Sequence, residues 1–186
     1  HGHIQALIDE GVDAIFYPCL SYNFDEGLSD NHFNCPVVAY YPNVIAENTR
    51  SLGGVKFIHD YLGIHREKDF KKRFHTLLED NFGSFRKQQV ELAIDRAYSE
   101  YASFMQKIRA CGDEYLKIAA EKKLPIIVLS GRPYHLDREI NHGIDKFIAD
   151  SGAVLLSEDS LGSHFEKHPL AILNQWTYHA RLFAAA

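Results

Sequence analysis

Residues 126–156, IIVLSGRPYHLDREINHGIDKFIADSGAVLL, decide the fold class. Ile126 to Ser130 is a short apolar run of the kind that fills a parallel strand, and Gly131-Arg132-Pro133-Tyr134-His135 interrupts it with turn-forming residues. From Glu139 to Ala149 the apolar residues Ile140, Ile144, Phe147 and Ile148 recur on one helical face, Gly152 closes the segment, and Ala153 to Leu156 is apolar again. Strand, glycine turn, helix and strand within ~30 residues make a βαβ unit, and with it a parallel sheet.

Working outward, a helical segment from about Ala171 to Phe183 carries Trp176, the one tryptophan. On the N-terminal side, Val90, Ile94, Tyr101, Met105, Ile108 and Ile118 belong to a three-and-four apolar spacing that runs from 85 to 122 after an N-cap at Ser84. Such a helix is ~57 Å long at 1.5 Å per residue, with Gly112 the place for a kink or a break into two. Phe70, Phe74, Leu77 and Leu78 predict a shorter helix before it. At the N-terminus the order is a helix at 4–9 closed by Gly11, an apolar strand at 12–17 (VDAIFY), a polar loop at 21–34 and a second apolar run at 36–41 (PVVAYY), read as a strand. The expectation is an α/β protein of two Rossmann-like parallel-sheet lobes joined by a long helix: a first lobe over 1–66, a helical connector over 67–123 and a second lobe over 124–186.

The composition, 46% hydrophobic and 24% charged, is that of a globular chain able to bury a core. Twenty Lys and Arg against 25 Asp and Glu leave a net charge of −5, which argues against nucleic acid as a partner. Three cysteines do not make a disulfide framework, and neither a signal-peptide core nor an apolar stretch near 18 residues is present, so no membrane partner and a reducing cytoplasm are expected. The start at His1-Gly2-His3, already entering a helix, and the end in Ala184-Ala185-Ala186 are read as those of a piece of a larger polypeptide, whose remaining domains would be its partners. Eleven histidines scatter without HExxH spacing.

Ligands of open α/β sheets bind outside the carboxyl ends of the strands, which singles out three loops. Cys19, after Pro18 at the tip of the 12–17 strand, suits a metal or iron–sulfur ligand, with a small buried hydrophobe as the competing reading. Cys35 stands at the start of the next run, at the opposite sheet edge unless the loop folds back, and Cys111 falls on the apolar face of the long helix, as core. In the second loop, Gly131 clears space, Arg132 offers a guanidinium fork, and His135, Asn141 and His142 flank the entrance to the following helix, whose amides and dipole favour an anion such as a phosphate of CoA or a nucleotide. A purely structural turn, with Arg132 paired to Asp137 or Glu158, is the competing reading. The third loop, Ser157-Glu158-Asp159-Ser160, is an acidic turn able to meet the other two.

HGHIQALIDEGVDAIFYPC (1–19), FNCPVVAYYPNVI (33–45), the stretch from Ile126 to Leu161 and NQWTYHARLFAAA (174–186) resemble the acyl-CoA dehydratase activase-related proteins, large anaerobic proteins similar to the 2-hydroxyglutaryl-CoA dehydratase and its CoA enzyme activase. The resemblance is weaker over 50–122 and rests chiefly on GRPYH followed by INHGI. It implies a two-lobed α/β architecture in which strand-tip cysteines, here Cys19 with Cys35 as a substitute ligand, hold a [4Fe-4S] cluster. That cluster receives one electron from an ATP-driven activase, with an acyl-CoA as substrate and a redox protein as partner. The implied roles are iron–sulfur electron transfer or radical dehydration of an acyl-CoA, as a lyase or its ATP-dependent activating reductase, active only in the full-length protein. Ser160 departs from the pattern, standing where the dehydratases place a cysteine. The reading from another class is a non-catalytic α/β scaffold or a module that binds an acyl-CoA or nucleotide at Gly131–His135.

Overall fold

The computed structural model describes residues 1–186, apart from the side chain of Ser51 and the surroundings of Gly53. Two compact units divide the chain: residues 1–26 with 31–94, and residues 27–30 with 95–186. Each is built on a two-stranded parallel sheet, so the fold is mixed α/β. The helical segment at 67–123 is shared between the two units.

The first unit opens with α1 (Gly2–Asp9). Its C-terminal turn is a Schellman motif: Gly11 N–H bonds the Ile8 carbonyl at 3.0 Å and Val12 N–H reaches Leu7 at 3.4 Å. Gly11 adopts φ +73°, a left-handed conformation that a side chain would oppose. Then β1 (Ala14–Phe16) pairs with β2 (Lys56–Ile58), Ile15 lying opposite Phe57, and a further bridge between Cys19 and Tyr61 prolongs the ladder. Ile4, Ile15, Ile45 and Leu52 form one buried cluster; Ile58, Leu62 and Leu77 form a second, joined by Phe70 and Phe74 of α3 (Glu67–Phe82).

The strand expected at 36–41 is instead the start of a helix, α2 (Pro36–Asn48). Pro36 sits at the first helical position, where its missing N–H costs nothing, and the buried residues Ala39, Pro42 and Ile45 recur every three residues along one stripe. Pro42 lies inside this helix and cannot donate to the Val38 carbonyl one turn earlier. Leu20 N–H takes that place at 3.4 Å, so the carbonyl freed by the proline ties α2 to the segment following β1.

The long helix is observed without a break as α4 (Lys87–Lys122), 36 residues or ~54 Å. It starts three residues beyond Ser84: Gln89 and Val90 donate to the Arg86 carbonyl, and Ser84 is exposed. Gly112 does not break it. This glycine is buried where a Cβ would run into the Ser160 carbonyl oxygen, so close approach rather than bending explains it. Val90, Ile94, Met105 and Ala119 are buried, but Tyr101 and Phe104 remain 46% and 54% exposed. Cys111, expected in the core, is exposed, because the apolar stripe of α4 is wider than the surface that covers it.

In the second unit β3 (Ile126–Leu129) pairs in parallel with β4 (Val154–Ser157), Ile126 opposite Val154 and Leu129 opposite Ser157. The helix expected over 139–149 is divided into α5 (Arg138–Asn141) and α6 (Ile144–Asp150), since His142 and Gly143 both take left-handed conformations between them. Ala119, Val154 and Leu156 make the core with Leu116, Leu124 and Leu161. A final helix, α7 (Thr177–Ala185), begins six residues later than the apolar spacing suggests. Among the described residues no helix is long and apolar enough to cross a membrane.

Candidate functional site at the strand ends

Cys19 follows β1 by three residues and is fully buried. Its backbone is held as in a strand: its N–H bonds the Asp60 carbonyl at 3.0 Å, and Leu62 N–H bonds its own carbonyl at 3.1 Å. The thiol donates to Asn43 Oδ1 of α2 at 3.5 Å. Asn43 is the hub of a polar cluster, since its Nδ2 donates to the Tyr61 hydroxyl at 2.8 Å and its Oδ1 lies 2.8 Å from His59 Nδ1. The amide oxygen can only accept, so His59 carries its proton on Nδ1 in this pair. Burial pushes the Cys19 thiol above its ordinary pKa, with Asn43 and Tyr61 pulling it back and the Asp60 charge adding to the rise. At neutral pH it is a hydrogen-bonded thiol, not a thiolate.

Cys35 caps α2 and is half-buried. The loop before it does fold back: Asn34 N–H bonds Ser21 at 2.9 Å, and its buried side chain donates to the Leu20 carbonyl at 3.0 Å. Residues 34–38 thereby run beside residues 20–21, at the carboxyl end of the β1–β2 sheet where Cys19 also lies. Cys111 belongs to the other unit. No group of three or more His, Cys, Asp and Glu able to hold a metal ion gathers among the described residues. Cys19 and Cys35 are thus two thiols at one sheet end, short of the four that a cluster held only by thiolates requires.

The second unit brings the Gly131 turn and the acidic turn together. Leu129, Gly131, Arg132, Pro133 and Leu136 face Ser157, Glu158 and Asp159 around a space of about 10 Å³, room for one water. A Cβ on Gly131 would strike the ring of His135, whose Nδ1 accepts the Arg132 N–H at 2.9 Å. The Arg132 guanidinium lies 4.9 Å from the centre of the Tyr178 ring of α7, and Arg181 lies 5.5 Å from the same ring. Arg181, not Arg132, takes the acids: its Nε is 3.0 Å from Glu158 Oε2, its terminal nitrogen contacts Asp159, and Arg181 and Glu158 are both buried. Asp137 caps α5, accepting from the Glu139 and Ile140 amides at 2.9 and 3.3 Å, which occupies amides expected to face an anion. Asn141 is buried and accepts from Gly143 N–H at 2.8 Å, whereas His142 is exposed.

Asn43, His59 and Tyr61 were not legible as site residues. Asn43 lies just beyond the 36–41 segment read as a strand, and β2 is only three residues long, so the polar triplet His59-Asp60-Tyr61 did not register as a strand tip. The available signal was that triplet directly after Phe57-Ile58. Comparison with curated proteins and with solved structures finds no match. A family model, the CoA enzyme activase uncharacterised domain (DUF2229), does match, over residues 1–161, a span that includes both sheets, α1 to α6 and every candidate residue at the two strand ends except those of α7. With most of its length so matched, the chain belongs to that domain family, which is associated with CoA enzyme activases.

Proposed function

We propose that this domain serves iron–sulfur electron transfer to an acyl-CoA, within a larger protein similar to the 2-hydroxyacyl-CoA dehydratases and their activases. Its part is to present Cys19 as a cluster ligand at the end of the β1–β2 sheet. The observation that carries the reading is the setting of Cys19: a buried strand-tip thiol bonded to Asn43, which in turn bonds His59 and Tyr61. A structural cysteine needs no such polar partners. A bound [4Fe-4S] cluster would supply the one-electron chemistry. Cys19 would lose its proton on ligation, the Asn43 backbone N–H and the Tyr61 hydroxyl would donate hydrogen bonds to the sulfur, and Cys35 would be the second thiolate, with further ligands from the remaining domains of the polypeptide. Each two-stranded sheet is, in this reading, part of a larger Rossmann-like lobe. Its support is the exposure of Ile126 and Ile127 on β3 and of Ile144 and Phe147 on α6, which a continuing sheet and its helices would cover.

Iron and sulfide analysis of the full-length protein, purified without oxygen, tests this. The native protein is expected to show iron–sulfur absorbance that Cys19→Ser abolishes, because a cluster deprived of a thiolate is usually lost. Absorbance that survives the substitution removes Cys19 from the ligand set. The second reading, a non-catalytic scaffold or an acyl-CoA- or nucleotide-binding module, is favoured by one feature of the other unit: Arg132 stacks on Tyr178 with no acid paired to it among the described residues, leaving its fork available to a phosphate. Titration with CoA, in the wild type and in Arg132→Ala, distinguishes the two.

A further inference from the structure

A cleft of about 770 Å³ lies wholly within the first unit, beside the carboxyl ends of β1 and β2, and no feature of the proposed electron transfer uses it. Its volume is that of a small-molecule site. One wall belongs to α3 and the residue that opens it: Arg66 is followed at three, four and seven residues by Asp69, Phe70 and Arg73, a spacing that puts all four on one side. Three rings also line the cleft. Tyr22 packs against the rings of His32 and His65 at centroid distances of 5.2 and 4.9 Å, and the two imidazoles lie 5.1 Å apart.

The charges of this cleft differ in how they are used. Arg73 is bound to Asp60, while Arg66 and Asp69, both exposed, form no ion pair with each other or with any other group among the described residues, although their spacing would allow one. Glu67, in the same helical turn, instead pairs with Lys71 at 2.6 Å. Burial, with His32 and Arg66 nearby, holds His65 below its ordinary pKa and Asp69 pulls it back only in part, so this imidazole is neutral at pH 7. Asp25 also lines the cleft. A free guanidinium and a free carboxylate therefore share one cavity with the rings of Tyr22 and Phe70. A simple anion would meet Asp69, and a simple cation would meet Arg66; a molecule carrying both charges satisfies both.

We propose that this cleft binds a small zwitterion of the α-amino acid class with a flat side chain, its carboxylate on Arg66, its ammonium on Asp69 and its ring against Tyr22 and Phe70. The reading is independent of any cluster at Cys19. Calorimetric titration of the chain with L-phenylalanine, 3-phenylpropionate and phenethylamine tests it, since the last two each lack one of the charges. Phenylalanine is expected to bind about tenfold or more tightly than either, the loss of one charge-assisted hydrogen bond accounting for the factor. Arg66→Gln and Asp69→Asn should each weaken phenylalanine binding by about the same factor, and Arg66→Lys should recover part of it. Both side chains are exposed, so circular dichroism of the variants should match the wild type. Absence of heat with phenylalanine, tighter binding of either singly charged analogue, or unchanged affinity in both charge variants would overturn the proposal.

Discussion

A thiol with no solvent exposure reacts only when the fold opens, and Cys19 differs in this from Cys35 and Cys111. A maleimide should therefore label Cys111 and Cys35 in the folded chain and Cys19 only after denaturation; rapid native labelling of Cys19, read by mass spectrometry, would show that the Asn43 cluster opens readily. The same burial has a pH consequence. Because the folded pKa is raised, the folded state holds the thiol proton more tightly than the unfolded chain does. The stability this contributes is complete below the thiol's ordinary pKa and declines as pH rises through that value toward the folded one. Denaturant unfolding of the chain should accordingly weaken above about pH 8.5, and Cys19→Ala should flatten that part of the profile. Arg181 presents a larger single-residue effect. Replacing it by Met leaves Glu158 charged and buried without its partner, which costs roughly 3–5 kcal/mol, and adding Glu158→Gln should restore part of the loss. Cys19, Arg132 and Glu158 could be picked out from sequence because strand tips concentrate polar residues. Arg181 could not, since nothing in a helical spacing says which cation will be drawn inward.

Elements with long periodic patterns were the legible ones. The 36 residues of α4 and the pair β3 and β4 follow directly from spacing and apolar runs. PVVAYY misled because its β-branched pair Val37-Val38 and aromatic pair Tyr40-Tyr41 look like a strand, and only the three-residue burial stripe through Pro42 and Ile45 reveals the helix. Exposure on α4 was illegible for a different reason: an apolar stripe states which residues can be buried, while neighbouring elements decide which are. Two substitutions on α4 separate propensity from packing. Gly112→Ala gains ~1 kcal/mol of helix propensity but drives a methyl group into the Ser160 backbone, an overpacking cost of roughly 1–3 kcal/mol. Net destabilisation is expected in thermal unfolding, and a raised midpoint would mean that the Ser160 turn yields freely. At the end of the helix Lys123 has φ +53°, and the bonds from Lys123 N–H to Ala120 and from Leu124 N–H to Ala119 repeat the Schellman pattern that Gly11 completes in α1. Lys123→Gly should stabilise the protein by about 0.5–1 kcal/mol, relief of the left-handed strain exceeding the added freedom of the unfolded chain.

At the scale of the whole molecule, each small sheet has its own buried residues, two clusters in the first unit and one in the second. Ile45, 1% exposed, packs with Ile4, Ile15 and Leu52 in one unit, while Leu156, 4% exposed, packs with Ala119 and Val154 in the other. Among the described residues neither sheet has more than two strands, so each depends on the helices and turns that supply its cluster rather than on a wide ladder. Truncating one cluster removes contacts that the other does not share. Ile45→Ala and Leu156→Ala should each cost roughly 2–5 kcal/mol of local stability, the transfer cost of the lost atoms plus that of the cavity. Native-state hydrogen exchange separates the two effects, because amide protection reports the opening of each cooperative region in turn. With Ile45→Ala, protection is expected to fall across β1, β2 and the end of α2 and to persist in β3 and β4; with Leu156→Ala the pattern reverses. Equal loss of protection in both sheets from either substitution would mean that α4, whose residues to Ile94 belong to one unit and from Asp95 to the other, couples them into a single cooperative body.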